Sequence, residues 1–107
     1  MPWYVYLLQL LSGALLTNGL PHFVQGLSGN RFQSPFASPP GVGESPPPVN
    51  AYWGLSNLVG GAFLLSRFAP QSAHDYLGWG LVVAGALLVS TRLSFHFGHV
   101  RAKRSNA

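Results

Sequence analysis

The sequence predicts an all-α membrane protein, with three transmembrane helices and a long Pro-rich loop between the first and second. Three observations lead there. Only 7% of the 107 residues are charged, against roughly a quarter in an ordinary soluble domain. Three apolar runs approach the length that crosses a bilayer. The only two acidic residues, Glu44 and Asp75, both fall between those runs. Eight Lys, Arg, Asp and Glu side chains are too few to coat a soluble surface, so much of the remainder must face something apolar.

The first run, Trp3 to Leu20, is WYVYLLQLLSGALLTNGL. Eighteen helical residues rise about 27 Å, close to the hydrocarbon thickness of about 30 Å. Trp3, Tyr4 and Tyr6 open it with amphipathic rings of the kind that settle at headgroup level. A cleaved signal peptide is the rival reading, but the positive leading region is missing. The second run, 51–69, is again opened by aromatics, Tyr52 and Trp53, and Pro70 places its end. The third, 76–97, has its most apolar stretch between Leu77 and Val89. A short connection, Ala69 to Asp75, makes the second and third runs an antiparallel hairpin.

Residues 21–50 form the expected loop, and Ser34 to Pro48 holds six of the nine prolines. Repeated Pro removes backbone donors and holds φ, so this piece is expected to be extended or polyproline-like. A connection that long in a small protein is usually functional or disordered. The chain forms one membrane domain, closed by a basic tail at 98–107. Arg101, Lys103 and Arg104 lie in that tail, with Arg92 nearby and Arg31 in the loop. Three spans with a cytoplasmic tail put the amino terminus outside and the carboxyl terminus inside. The tail also suits anionic lipid. Scattered basic residues make no nucleic-acid-binding face.

In lipid, helices associate through close packing and hydrogen bonds. Asn50, Gly54, Asn57 and Gly61 share one face of the second helix. Gly78 and Gly85 lie on a stripe of the third that continues to Arg92 and His99, and Gln9, Ser12 and Gly13 share a face of the first. We read Gln9, Gly13, Gly54, Asn57, Gly61, Gly78 and Gly85 as packing positions. The alternative is a neutral-solute path lined by Gln9, Asn18 and Asn57. Coupled transport, as in a small multidrug antiporter, normally needs an ionisable group within the membrane, usually a carboxylate, and neither acid lies in a span.

His22, Arg92, His96 and His99 are expected near one membrane surface, where they form a candidate site for a quinone headgroup or an anionic lipid. The plainer reading is an interfacial anchor with Arg92 snorkelling. Histidines without a carboxylate or cysteine are a poor metal set, so no metal is assigned. A haem ligand would belong inside the bundle. With no cysteine and no acid placed to orient a histidine beside a hydroxyl, no catalytic set is assigned.

The stretch HFVQGLSGNRFQSPFASPPGVGESPPP and the following VNAYWGLSN, His22 to Asn57, resemble small multi-pass bacterial membrane proteins of uncharacterised function. The shared elements are HF..G..G..F.SPFA, PPG.G.S and N..WG..N, and they cover about a third of the chain. The resemblance implies an ordered, used loop. The expected location is a bacterial plasma membrane. In size and span count the chain also resembles the membrane-anchor subunits of succinate dehydrogenase and fumarate reductase. Their mid-helix haem histidine has no counterpart among His22, His74, His96 and His99. The expected function is a non-catalytic accessory or structural subunit of a larger membrane complex, or a homo-oligomer. The alternatives are a quinone-, haem- or lipid-binding anchor and a neutral-solute channel.

Overall fold

The computed structural model describes residues 2–105. The elements run α1 (Trp3–Leu27), β1 (Phe32–Gln33), β2 (Glu44–Ser45), α2 (Pro47–Arg67) and α3 (Tyr76–Ser105). α1 packs along both α2 and α3, antiparallel to α2 and parallel to α3, as the paired positions below show. The molecule is elongated, 50 × 25 × 20 Å.

The expectation of three membrane spans is corrected. Among the described residues one helix is long and apolar enough to be a candidate span, Tyr76–Lys103 within α3. α1 and α2 have the length, 25 and 21 residues, but not the composition. Gln9, Ser12, Asn18, His22 and Gln25 interrupt α1, and Asn50, Ser56, Asn57 and Ser66 interrupt α2. An unpaired amide costs less than a charge to place in hydrocarbon, but still roughly 2–7 kcal/mol. Counting only the charges therefore overstates how apolar these helices are.

The element boundaries move as well. α1 continues through Pro21 to Leu27. It ends in a C-terminal turn where Asn30 N–H donates to Gln25 O (2.9 Å). α2 begins four residues earlier than expected, at Pro47, with Pro46 as its cap and prolines in its first turn. Proline suits that place because the first helical N–H groups have no intrahelical acceptor to lose. α3 extends through the expected tail to Ser105. Its start is capped by Asp75, whose carboxylate accepts from Gly78 N (3.0 Å) and Gln71 N (2.9 Å). These two N–H groups, Gln71 first, hold the Asp75 carboxyl below its ordinary range.

The Pro-rich segment is not extended. β1 and β2 pair antiparallel, Phe32 with Ser45 and Gln33 with Glu44, and the chain between them folds on itself. Ser34 O accepts from Gly41 N (2.8 Å), Pro39 O accepts from Gly43 N (2.8 Å), and Ser34 Oγ lies 2.5 Å from Ser45 Oγ. Prolines cannot donate, so the donors come from the interspersed Gly, Val and Ala. Gly41, at φ +75°, takes a left-handed turn that a side chain would disfavour.

The helix seams are built on backbone approach. A Cβ on Gly13 would overlap the Val82 carbonyl, and one on Gly85 would overlap the Leu10 carbonyl, so these two glycines lock α1 to α3 reciprocally. On the other side of α1, Gly19 meets the Gly54 carbonyl, Gly54 meets the Phe23 backbone, and Gly61 meets Ser12 and Leu16. Gly78 is not on a seam. It faces Asp75 and Pro70 in the connection before α3.

Burial is inverted relative to a water-soluble bundle. Fully covered side chains are mostly polar (Gln9, Ser12, His22, Gln33, Ser34, Asn50, Asn57), whereas Leu7, Leu20, Val59, Phe63, Val83, Leu87, Leu88 and Phe95 face outward. The close seams make the test. Gly85→Ala is expected to destabilise the folded chain by about 3 kcal/mol, the upper range for overpacking, read as a lowered unfolding midpoint in detergent. Gly80→Ala meets nothing within 4 Å and should be neutral or slightly stabilising. Equal effects at the two positions would refute the close-packed seam.

Candidate functional site

The site lies at the end of the molecule where α1 finishes, α2 begins, α3 approaches its basic end and the folded loop closes over all three. It is organised by Asn50. That side chain is fully buried. Its Nδ2 donates to Phe32 O (2.9 Å) on β1 and to Ser45 O (3.1 Å) on β2. Two carbonyl partners orient the amide, so Asn50 Oδ1 must be the atom facing His22 Nδ1 at 3.0 Å. An oxygen there can only accept, and His22 therefore carries its proton on Nδ1 and leaves Nε2 as an acceptor. Burial lowers the His22 pKa and outweighs the opposing pull of the Asn50 bond.

Around His22 stand aromatic rings from three other elements. Phe32, Trp53 and Phe97 meet the imidazole edge to face at centroid distances of 5.4, 6.5 and 6.2 Å. Phe32 and Phe97 also meet each other at 4.8 Å. His96, one turn beyond Arg92 on α3, donates from Nε2 to the carbonyl of Gly41 (2.7 Å), which ties the loop to α3.

Beside this cluster opens a cleft of about 290 Å³, which brings together His22 and Asn18 from α1, Gln33 from β1, Trp53 from α2, and Arg92 and His96 from α3. Two of these residues carry buried polar atoms with no partner, Gln33 Oε1 and Trp53 Nε1. Gln33 is 1% exposed. An unmade hydrogen bond at such a depth costs roughly 1–3 kcal/mol. Arg92 is solvent-exposed, with no hydrogen-bond or acidic partner among the described residues.

Of the four residues expected to form a headgroup site, the cleft gathers His22, Arg92 and His96. His99 is not among them. It lines a separate, mainly apolar cavity of about 440 Å³ with Val42, Val100 and Lys103. His96 lines both cavities, and His99 only the second. Among the described residues no three His, Asp or Glu side chains converge as a metal set. The amide nitrogens considered for a solute path donate between helices and to caps, while Gln9 Oε1 is buried without a partner. Gln9 Nε2 donates to Phe68 O (3.2 Å), Asn18 Nδ2 to Asn57 Oδ1 (3.0 Å), and Asn57 Nδ2 to Trp53 O (2.8 Å).

Sequence reasoning missed Gln33 and Trp53 as site residues and read Asn50 only as a packing position. Trp53 carries the signature of an interfacial ring, which hides its role. Gln33 has no local signal, because its place follows from the two-residue pairing of β1 with β2.

Two outcomes test the Asn50 hub. Asn50→Leu strands two backbone carbonyls and the His22 donor, and should lower stability by about 3 kcal/mol or more, read by denaturant unfolding in detergent. The second is a pH dependence. With the folded His22 pKa below its ordinary 6.5, the unfolded chain takes up the proton first as pH falls. The contribution is therefore complete above pH 6.5, declines as pH drops from there to the depressed folded value, and is flat below it. His22→Gln should remove this slope, whereas a slope unchanged in that variant would exclude His22 as its source. Arg92 and His96 line the same cleft, so Arg92→Gln serves as the control for their field.

Compared with models of protein families, with curated proteins and with solved structures, the chain shows no match. The loop pattern therefore brings no family assignment, and the functional reading rests on the geometry of the site.

Proposed function

We propose that this protein is a non-catalytic accessory protein of a plasma membrane, held there by α3 and acting through binding at the loop-capped end of its helices. The observation that carries the reading is the surface of α3. Only 11% of its most apolar window is covered by the rest of the protein. A core helix of a soluble protein would be covered, and a signal sequence would lie at the amino terminus. An exposed apolar surface of this extent needs lipid or a partner against it.

The ends of α3 support lipid. Tyr76 and Trp79 are exposed at its start, where aromatic rings favour the interface, and Arg92, Arg101, Lys103 and Arg104 follow toward its end. The positive-inside tendency places that basic end in the cytoplasm. Binding as the mode of action is supported by the cleft, which offers hydrogen-bonding groups and a cation without a nucleophile oriented by a base. The preferred assembly is a complex with a protein partner or with further copies.

In a membrane preparation the chain should stay in the pellet through alkaline carbonate and leave it only with detergent, bringing any partner with it. Val83→Arg with Leu87→Arg, at two outward positions one turn apart, should cost about 6 kcal/mol of insertion and shift the chain to the soluble or degraded fraction. Carbonate release of the unaltered protein would refute the anchor.

A further inference from the structure

We propose that the cleft between His22, Gln33, Trp53 and Arg92 is a binding site for a hydroxylated phosphate-ester headgroup, that of an anionic glycerophospholipid. This deepens the reading of a membrane-held binding protein and rests on it.

The charge of the ligand follows from Arg92. The chain has two carboxylates. Asp75 lies at the start of α3 and is occupied by Gln71 and Gly78. Glu44 lines the neighbouring cavity rather than this one. Among the described residues the guanidinium at the cleft therefore has no anion, and its forked donors match a phosphate. Trp53 Nε1–H, buried without an acceptor, is a further donor on the same wall.

The cleft asks for donors as well. Gln33 Oε1 is a buried acceptor without a donor, and the Asn50 bond leaves His22 Nε2 as an acceptor. A quinone supplies only acceptors and leaves Arg92 uncompensated. A simple carboxylate satisfies Arg92 and leaves Gln33 unmet. A phosphate ester bearing hydroxyls answers both sides. A cleft of about 290 Å³ sits at the small end of ligand pockets, roughly 300–1,000 Å³, and so suits a headgroup better than a macrocycle.

Height favours a lipid over a free phosphate ester. Arg92 lies sixteen residues after Tyr76, a rise of about 24 Å, near the far edge of a hydrocarbon layer of about 30 Å. The cleft therefore opens where lipid phosphates lie, with the apolar face of α3 available to the acyl chains.

The full-length protein in zwitterionic micelles has three tryptophans, and their ¹⁵N-labelled indole N–H signals can be resolved and assigned with Trp53→Phe. Short-chain phosphatidylglycerol is expected to shift the Trp53 signal saturably while those of Trp3 and Trp79 stay. Phosphatidylcholine of equal chain length should not shift it. Arg92→Gln, at an exposed position without a partner to lose, should weaken the apparent affinity at least tenfold, with Arg92→Lys between. A Trp53 signal that does not move, moves equally with phosphatidylcholine, or ignores Arg92→Gln would overturn the site. Glycerol phosphate saturating the signal at the same concentration would overturn the lipid source and assign a soluble phosphate ester. Failure of the anchor would register separately, in carbonate extraction.

Discussion

The side chain of Asn50 holds the loop-capped end of this protein together. It is buried at the start of α2, donates to one carbonyl on each of the two short strands, and accepts from His22 on α1. One residue thus joins two helices and both ends of the Pro-rich loop. Two strands of two residues each could not hold a loop in place by their own hydrogen bonds. A buried amide that satisfies three groups can, because losing it would strand all three at once. The tautomer of His22, the seating of Phe32, and the position of Gln33 on the cleft wall all follow from that amide.

The rest of the molecule has little apolar interior among the described residues. Its interior is made from glycine backbone and small or polar side chains, and its large apolar side chains point outward. In water this arrangement would forfeit the main force for folding. Against lipid, association relies on close approach and on polar groups finding one another, and glycine at the crossing points permits both. Gly13 with Gly85 and Gly19 with Gly54 bring helix backbones near enough that a methyl group would not fit. The amides of Gln9, Asn18 and Asn57 then bridge helices or cover exposed carbonyls at helix ends and turns.

The cleft departs from this economy. Of the three buried side-chain atoms without a partner among the described residues, Gln9 Oε1 lies away from it, whereas Gln33 Oε1 and Trp53 Nε1 both belong to the cleft, beside an arginine with no acidic partner among those residues. Unsatisfied groups are a cost that a purely structural element has no reason to concentrate in one place. Their convergence under an ordered loop, tied to α3 by His96 and Gly41, is the observation from which the proposed binding site is argued.

Much of this was legible in the chain itself. Three helical runs, the aromatic rings that open them, the seam glycines at 13, 54, 61 and 85, and the clustering of His22, Arg92 and His96 at one end all follow from local periodicity and composition, which a linear sequence records directly. The number of candidate spans did not follow, because tallying charges ignores what Gln9, Asn18, Asn50 and Asn57 cost in hydrocarbon. Nor did the loop, whose prolines suggest extension while its interspersed donors close it into a folded turn. Gly78 and His99 matched the spacing of a seam and of a site but belong to neither, since spacing gives a face and not what lies opposite it. Only the tertiary structure decided that Gln33 and Trp53 would meet Arg92 across a cleft, because that meeting depends on hydrogen bonds from Asn50 to residues far from it in sequence. The sequence by itself determined a helical protein with an apolar exterior, and the fold decided where its unmatched polar groups converge.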